Sequence, residues 1–453
     1  MEPYDLIVIG AGSAARDAAN TASREYGARV ALVERKLWGG SCPNVACKPT
    51  KAYLVAAELH RDLRTVGPKL GLTAAPGRAD LARIHAWKES LRKPREKWIE
   101  ELRGRGYDTH EGSATFVDAR TIRVAGEELV GERILIATGS RTAVPPIPGL
   151  DKLDWIDHVT ALDLEQLPAT LLVLGGGPVG LEFAQVFARF GSRVTLVQGA
   201  PRVSPRSDAD ATAQLEAAFA EEGIDVLTGT TVERFEDGTA VLSDDRTIDA
   251  ERVLLASGRV PNVEELGLEA IGVRMHRAGI EVNDRLRTSV DGIWAAGDVT
   301  GLVQFTPIAQ YQARIAVEDM FAPNGTAADY SVLPTAIFTD PELGAVGLTE
   351  HEAREQGLDV ATATHPLANV TRSQYVAERH GLYKLVYAPD TRRVLGIHVV
   401  SRGASDIVQG LSVALRLGLT VDDLAHSHHV YPSWGEGVKS AAEQARPKTA
   451  ARE

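Results

Sequence analysis

Runs of consecutive apolar residues, closed by glycine and followed by alanine-rich helical stretches, set the rhythm of the first third of the chain. DLIVIG, residues 5–10, reads as a strand buried on both faces. AARDAANTASREYG then carries small apolar residues at helical spacing, and ARVALVE, ending at Glu34, reads as a second buried strand. The same order returns about 165 residues later in LLVLGGGPVGLEFAQVFARFGSRVTLVQ, which predicts strand, turn, helix and a strand closing at Gln198. Between the copies, residues 48 to about 105 are rich in charge and helix formers, broken at Pro68 and Pro76, and read as a helical excursion. Strands return over about 114–124 and 133–136. After the second copy, polar, glycine-punctuated strands run through 223–248 and 251–262. A short buried strand follows with Asp298 at its end, then a helix over about 306–320. From Val332 the repeat does not recur, and strands such as GLYKLVYA alternate with helices, which predicts a separate α+β domain.

The turns inside the two repeats carry chemistry. Gly10, Gly12 and Ala15 fit G-x-G-x-x-G/A, as do Gly175, Gly177 and Gly180: the first glycine permits the tight turn, the second lets a pyrophosphate approach the backbone, and the small third residue lets helix pack on strand. Glu34 stands 24 residues after Gly10, about where a carboxylate meets a ribose hydroxyl. Two copies in the correct context imply two bound dinucleotides.

Composition narrows the class. A chain of 453 residues with 44% hydrophobic content is too long for one ordinary domain and long enough for a large core. Its net charge of -12 repels phosphate backbones, which argues against nucleic acid or an anionic membrane as partner. The N-terminus shows no export signal, and the most apolar segment, residues 170–190, is interrupted by four glycines and Glu182, so a soluble cytoplasmic protein is expected.

Only two cysteines occur, Cys42 and Cys47, in GGSCPNVACKPTK. Two are too few to staple the chain, and in a reducing compartment such a pair is more often catalytic or metal-binding than a structural staple. No further cysteine exists and no histidine is nearby, so no protein-held metal is expected. Residues five apart in a regular helix lie about 8 Å apart, beyond the span of a disulfide, so a bridged pair requires a distorted turn. Pro43 suits a first helical position, which places Cys42 at an irregular helix entry and Cys47 one turn in. A thiol there is activated by the helix dipole, and a strained bridge is labile.

At this point the motifs match a known family. The first fingerprint with Glu34, GGSCPNVACKPTK, IATGS (136–140), GGGPVGLE, GRVPN (258–262), AAGDV (295–299) and PTAIFTDPE (334–342) resemble, in order, the class I pyridine nucleotide-disulfide oxidoreductases, among them dihydrolipoamide dehydrogenase, glutathione reductase and mercuric reductase. The resemblance implies an α/β fold with two Rossmann-like domains, one for FAD and one for NAD(P)H, and a C-terminal α+β dimerisation domain. On that pattern residues 1–150 and 271–328 are the two parts of the FAD-binding domain, 151–270 the NAD(P)H-binding domain and 329–453 the interface domain. FAD is expected on Gly10, Gly12, Ala15, Glu34, Gly40, Ser41, Thr138, Gly139, Gly297 and Asp298. The nicotinamide nucleotide is expected on Gly175, Gly177, Gly180, Gln198, Arg202 and Gly258.

The same resemblance implies a redox-active Cys42–Cys47 disulfide, with Cys42 meeting substrate and Cys47 contacting the flavin. Lys51 falls where the family places a lysine near the flavin's hydride-accepting nitrogen, and Glu182 where it pairs a glutamate with that lysine. Two departures matter. Family disulfide reductases carry a histidine before a proline with a glutamate five residues on, acting from the other subunit of a homodimer; here Tyr431 and Glu436 occupy those positions. Tyrosine, with a pKa near 10, is a poor general base at neutral pH. His429 is the surrogate acid-base candidate, and His426, His428 and His429 read as solvent-facing or interface residues. A tyrosine there is similar to mercuric reductase, as is the run EGVKSAAE, yet this chain ends in RPKTAARE without the outer cysteine pair of those enzymes.

Gln198 replaces the acidic residue that would hold the ribose of NAD and repel a 2′-phosphate, and Arg202 or Arg206 can attract one, so NADPH is favoured with NADH open. The leading expectation is therefore mercuric-reductase-like reduction of a thiophilic metal ion such as Hg(II). The alternatives are a disulfide or quinone reductase, and a dihydrolipoamide dehydrogenase-like electron-carrier subunit.

Overall fold

The computed structural model describes residues 2–73 and 77–445; Pro76 and the RPKTAARE terminus lie outside the described residues. Two compact units emerge over the described residues. One comprises Met1–Thr50, His85–Ala143 and Gly258–Asp329, and the other Lys51–Ile84, Val144–Ser257 and Tyr330–Glu453.

The first unit is built on a five-stranded parallel sheet in the order Ile293–Ala295, Ile134–Ile136, Leu6–Ile9, Val30–Glu34, Asp108–Glu111. Leu6 to Ile9 are all buried, as a strand covered on both faces requires. On one face lies the helix Ser13–Tyr26, whose buried Ala14, Ala15, Ala18, Ala19 and Ala22 let it approach the helix Thr306–Phe321 closely. The other face is covered by a three-stranded antiparallel sheet, Ala114–Phe116, Thr121–Val124 and Glu127–Val130. The strand region expected over 114–124 is a hairpin, turned at Asp118, whose carboxylate accepts from the N–H groups of Arg120 and Thr121.

The second unit contains the second repeat, a four-stranded parallel sheet ordered Asp225–Thr228, Arg193–Gln198, Thr170–Leu174, Arg252–Leu255. Beside it are an antiparallel meander over 232–249 and a five-stranded antiparallel sheet ordered Thr335–Ile337, Glu342–Gly347, Val394–Ser401, Leu382–Tyr387, Ala361–Pro366. Two stretches join different units from those the sequence pattern suggests. Arg259–Pro261 pairs with Ser140–Thr142, drawing Gly258 onward into the first unit. The helix Cys47–Thr65 buries Tyr53 and Ala57 among Leu162, Phe183 and Phe187 of the second.

Among the described residues no helix is long and apolar enough to cross a membrane.

Lys384 on Leu382–Tyr387, an interior strand of the C-terminal sheet, is 2% exposed and meets Asp208, the N-cap of the helix Ala209–Glu221, together with Asp210 and Glu350, at 2.7–3.0 Å. Burial alone would raise the Asp208 pKa. The charges of His398 and Lys384 and the N–H of Ala211 outweigh burial and hold it below its ordinary value. A lowered carboxylate pKa contributes stability above about pH 4, and that contribution is lost as the pH falls through the lowered native value. Lys384→Met strands Asp208 as a buried charge and is expected to cost about 3–5 kcal/mol, read as a lower urea midpoint at neutral pH.

Candidate active site

The first fingerprint folds as a cradle because its side chains are missing where backbone must pass. A Cβ on Gly10 would stand 2.3 Å from the Ala137 carbonyl oxygen. Gly12 is the N-cap of Ser13–Tyr26 and no side chain caps that helix, so its first N–H groups are left to an anion such as pyrophosphate. Gly40, at φ +80, lies so close that its Cβ would sit 2.4 Å from the Gly12 Cα, laying the cysteine segment on the fingerprint turn. Ala15 is fully buried, and Ser41 stands exposed at the start of the next helical turn. The Glu34 carboxylate accepts from the N–H groups of Ala11 at 2.9 Å, Lys36 at 2.8 Å and Leu37 at 3.0 Å. It lines a cavity with Gly10, Arg35, Thr138 and Glu264.

Two of the distant motifs meet here. Thr138 Oγ1 donates to the Asn262 carbonyl at 2.7 Å, and Asn262 returns Nδ2 to the Thr138 carbonyl at 3.0 Å and its N–H to the Gly139 carbonyl at 2.9 Å. The carbonyl of Gly258 accepts from the N–H of Ala143. Gly297 donates its N–H to Gln312 Oε1 at 2.7 Å, and Asp298 accepts from the Ser140 hydroxyl at 2.6 Å beside Arg259 at 3.6 Å. The glycine cradle, the uncapped helix and the Glu34 and Asp298 carboxylates fit an extended dinucleotide such as FAD.

The dithiol does not sit in one continuous helix. Cys42 belongs to a four-residue turn, Ser41–Asn44, the chain leaves helical geometry at Val45 (φ -141, ψ 3), and Cys47 is the first residue of the helix Cys47–Thr65 rather than one turn in. The break is the distortion that the five-residue spacing demands. Buried Asn44 fixes it, donating Nδ2 to the carbonyls of Trp38 at 2.9 Å and Gly40 at 2.7 Å. Cys42 is half-buried, whereas Cys47 is exposed with its Sγ 3.6 Å from the hydroxyl of Thr306, the first residue of the helix Thr306–Phe321. A thiol at the first position of a 19-residue helix has its thiolate favoured by the helix dipole.

One turn beyond Cys47, Lys51 directs its ammonium onto Glu182, 131 residues away in sequence, at 2.9 and 2.8 Å to the two carboxylate oxygens. Glu182 is 8% exposed, so the pair neutralises a carboxylate that would be costly alone. The ring of Phe338 covers the same ammonium, 4.3 Å from its centroid.

The second fingerprint repeats the first. A Cβ on Gly175 would lie 2.4 Å from the Ala256 carbonyl oxygen, and one on Gly180 only 1.9 Å from that of Gly175. Gly177 is the N-cap of the helix Pro178–Phe190, again without a side-chain cap. Gln198 accepts from the Gly176 N–H at 2.9 Å. Arg202 is turned onto its own loop, donating to the carbonyls of Pro205 at 2.7 Å and Ser207 at 3.3 Å, while Arg206 is exposed.

In the C-terminal region Tyr431 is 72% exposed, with its hydroxyl 3.3 Å from that of Thr371. Glu436 opens the helix Glu436–Gln444 and accepts from the N–H groups of Thr371 at 3.0 Å and Ser433 at 3.3 Å. His429 is half-buried on the Ser427 hydroxyl at 2.8 Å, its pKa lowered by burial and by the Lys439 charge, whereas His426 and His428 are exposed. The sequence reading missed Asn44, Thr306, Phe338 and Thr371. The only hint was that two of them, Asn44 and Phe338, lie inside quoted motifs.

Two dinucleotide cradles, a dithiol at a helix start and a lysine–glutamate pair one turn on define a flavin-dependent oxidoreductase that draws on NAD(P)H. The chain belongs to the pyridine nucleotide-disulphide oxidoreductases, whose model matches residues 4–313, and the family's dimerisation domain matches 333–442. It is 37% identical over 449 residues to a mercuric reductase of Staphylococcus aureus, covering 97% of this chain and 82% of that protein. It is equally 37% identical over 456 residues to a dihydrolipoyl dehydrogenase of Thermus scotoductus, covering 98% and 97%. Among solved structures it is similar to the HOCl-induced flavoprotein disulfide reductase RclA from Escherichia coli, with a TM-score of 0.87, 32% identity and coverage of 98% and 100%. A Cu(II) complex of that protein has the same TM-score.

Proposed function

We propose that the protein is a cytoplasmic homodimer that uses NADPH to reduce the Cys42–Cys47 disulfide and passes the two electrons to a thiophilic metal ion such as Hg(II). The observation that carries this reading is Tyr431 in place of a basic side chain, exposed beside Thr371, together with the dithiol at a helix start. Disulfide exchange with an organic substrate needs a group that takes and returns a thiol proton, and a phenol is a poor one at neutral pH. A soft metal ion needs two thiolates, which such a helix start favours.

Bound FAD and NADPH supply two-electron transfer from nicotinamide through flavin to sulfur. Glu182 holds the Lys51 ammonium in place, and the two glycine turns orient the pyrophosphates. Cys47 would lie beside the bound flavin and Cys42 would meet the acceptor. Two electrons leaving the dithiol reform its disulfide and reduce Hg(II) to Hg(0). Tyr431 and Glu436 serve the active site of the other subunit, which the exposure of Tyr431 supports. Gln198, which lacks the charge that repels a 2′-phosphate, and exposed Arg206 support NADPH over NADH. The division at residues 150, 270 and 328 is the proposed domain map, with 258–270 assigned to the FAD-binding part because Arg259–Pro261 pairs with Ser140–Thr142. The similarity to mercuric reductases, and to a neighbour solved as a Cu(II) complex, supports a metal acceptor.

A second reading, a dihydrolipoyl dehydrogenase-like activity, is favoured by the Thermus relative. Steady-state comparison of thiol-complexed Hg(II), dihydrolipoamide with NAD, a small disulfide and a quinone tests the proposal. It predicts the metal complex as preferred acceptor and NADPH as preferred donor; efficient dihydrolipoamide oxidation would replace it. Glu182→Gln is expected to slow flavin reduction by NADPH about tenfold or more, because the Lys51 ammonium loses its charged partner; rapid-mixing absorbance at saturating NADPH reads it.

A further inference from the structure

The helix Pro178–Phe190 does more than open the second cradle. Glu182, Gln185 and Arg189 stand at positions i, i+3 and i+7 of that helix and share one buried face. Each bonds to the segment from Phe338 to Asp340, which follows the strand Thr335–Ile337. Glu182 Oε1 accepts from the Phe338 N–H at 3.1 Å. Gln185 accepts from the Asp340 N–H and donates to the Asp340 carbonyl, both at 2.7 Å. Arg189 donates to that carbonyl at 3.0 Å and meets the Asp340 carboxylate at 2.9 Å. Alternate residues of the segment are therefore fixed to one helical face, and the register is set by side chains that leave no slack for sliding.

The consequence falls on Lys51. With the backbone of Phe338 held by Glu182, its ring lies 4.3 Å from the ammonium that Glu182 also binds. A lysine side chain is long and flexible, and one carboxylate restrains its end from one side only. A ring face supplies a second attraction from another direction through its quadrupole. Glu182 thus binds the ammonium directly and holds the ring beside it through the Phe338 N–H.

We propose that Phe338 is a positioning residue for the reaction: its ring holds the Lys51 ammonium at the place where Glu182 alone would leave it mobile. This rests on the reading of Lys51 as the lysine that serves the flavin. The ring is 36% exposed, so replacing it tests the contact without opening a core cavity.

The experiment uses FAD-loaded enzyme of the wild type, Phe338→Leu, Phe338→Tyr and Glu182→Gln. Two quantities are read: the limiting rate of flavin reduction with its NADPH dependence, and the flavin midpoint potential by equilibrium dye titration. Leucine keeps apolar bulk and loses the π face, and tyrosine keeps the face. Phe338→Leu is expected to lower the limiting rate about three- to thirtyfold, the range of a cation–π contact. It should leave NADPH affinity unchanged and shift the potential negative, because a displaced ammonium stabilises the reduced flavin less. Phe338→Tyr should restore both quantities. Equal loss in the leucine and tyrosine variants, or wild-type rate and potential in Phe338→Leu beside an impaired Glu182→Gln, would overturn the role of the ring. Wild-type behaviour of Glu182→Gln itself would overturn the reading of Lys51 and the inference with it.

Discussion

Cys42→Ser is expected to remove metal-dependent NADPH oxidation by about a thousandfold or more, the scale on which losing a reacting side chain acts. The two thiols are built differently. Cys42 lies half-buried in a four-residue turn, whereas Cys47 opens a 19-residue helix beside the Thr306 hydroxyl. Serine at position 42 cannot close a disulfide or bind a soft ion. Cys47 keeps its helix start, so the reduced variant should retain a long-wavelength absorbance from thiolate beside flavin. Loss of turnover with retention of that band separates the two roles in one preparation. Wild-type turnover in Cys42→Ser would mean that the acceptor takes electrons from the flavin directly, as a quinone does.

Gly40→Ala is expected to cost at least about 3 kcal/mol of FAD binding and fold stability together, from backbone strain and overpacking combined. Gly40 has φ +80, and its Cβ would lie 2.4 Å from the Gly12 Cα, where neither backbone can yield without moving the fingerprint turn. Gly27 supplies the control. It has φ +67 at the end of the same fingerprint helix but open space around a Cβ, so Gly27→Ala should cost only about 1 kcal/mol. Flavin content of the purified proteins and FAD titration of the stripped ones read the difference. Equal FAD retention in both variants would contradict the close approach of the two glycine turns.

The cradles were legible because their signals are local. A buried strand, a glycine turn and an alanine-faced helix are each written in fewer than thirty residues, and the chain carries the pattern twice. The pairing of Lys51 with Glu182 spans 131 positions and was legible only through family resemblance, since no local pattern encodes it. Phe338 and Thr371 escaped notice because each acts partly through its backbone N–H, which any residue type possesses. Asn44 and Thr306 look like ordinary turn and helix-start residues; their importance comes from what the fold brings beside them. The helical position of Cys47 was misplaced by one turn for a related reason. The spacing demands a distortion between the cysteines, but the break at Val45 carries no glycine or proline of its own to locate it.

Anaerobic oxidation of NADPH by the purified, FAD-loaded wild type, with Hg(II) supplied as its complex with excess small thiol, tests the central claim most directly. The account predicts sustained turnover, with many equivalents of NADPH consumed per dithiol and elemental mercury formed in step. Tight inhibition at one Hg(II) per Cys42–Cys47 pair, with no further NADPH consumed, would contradict it.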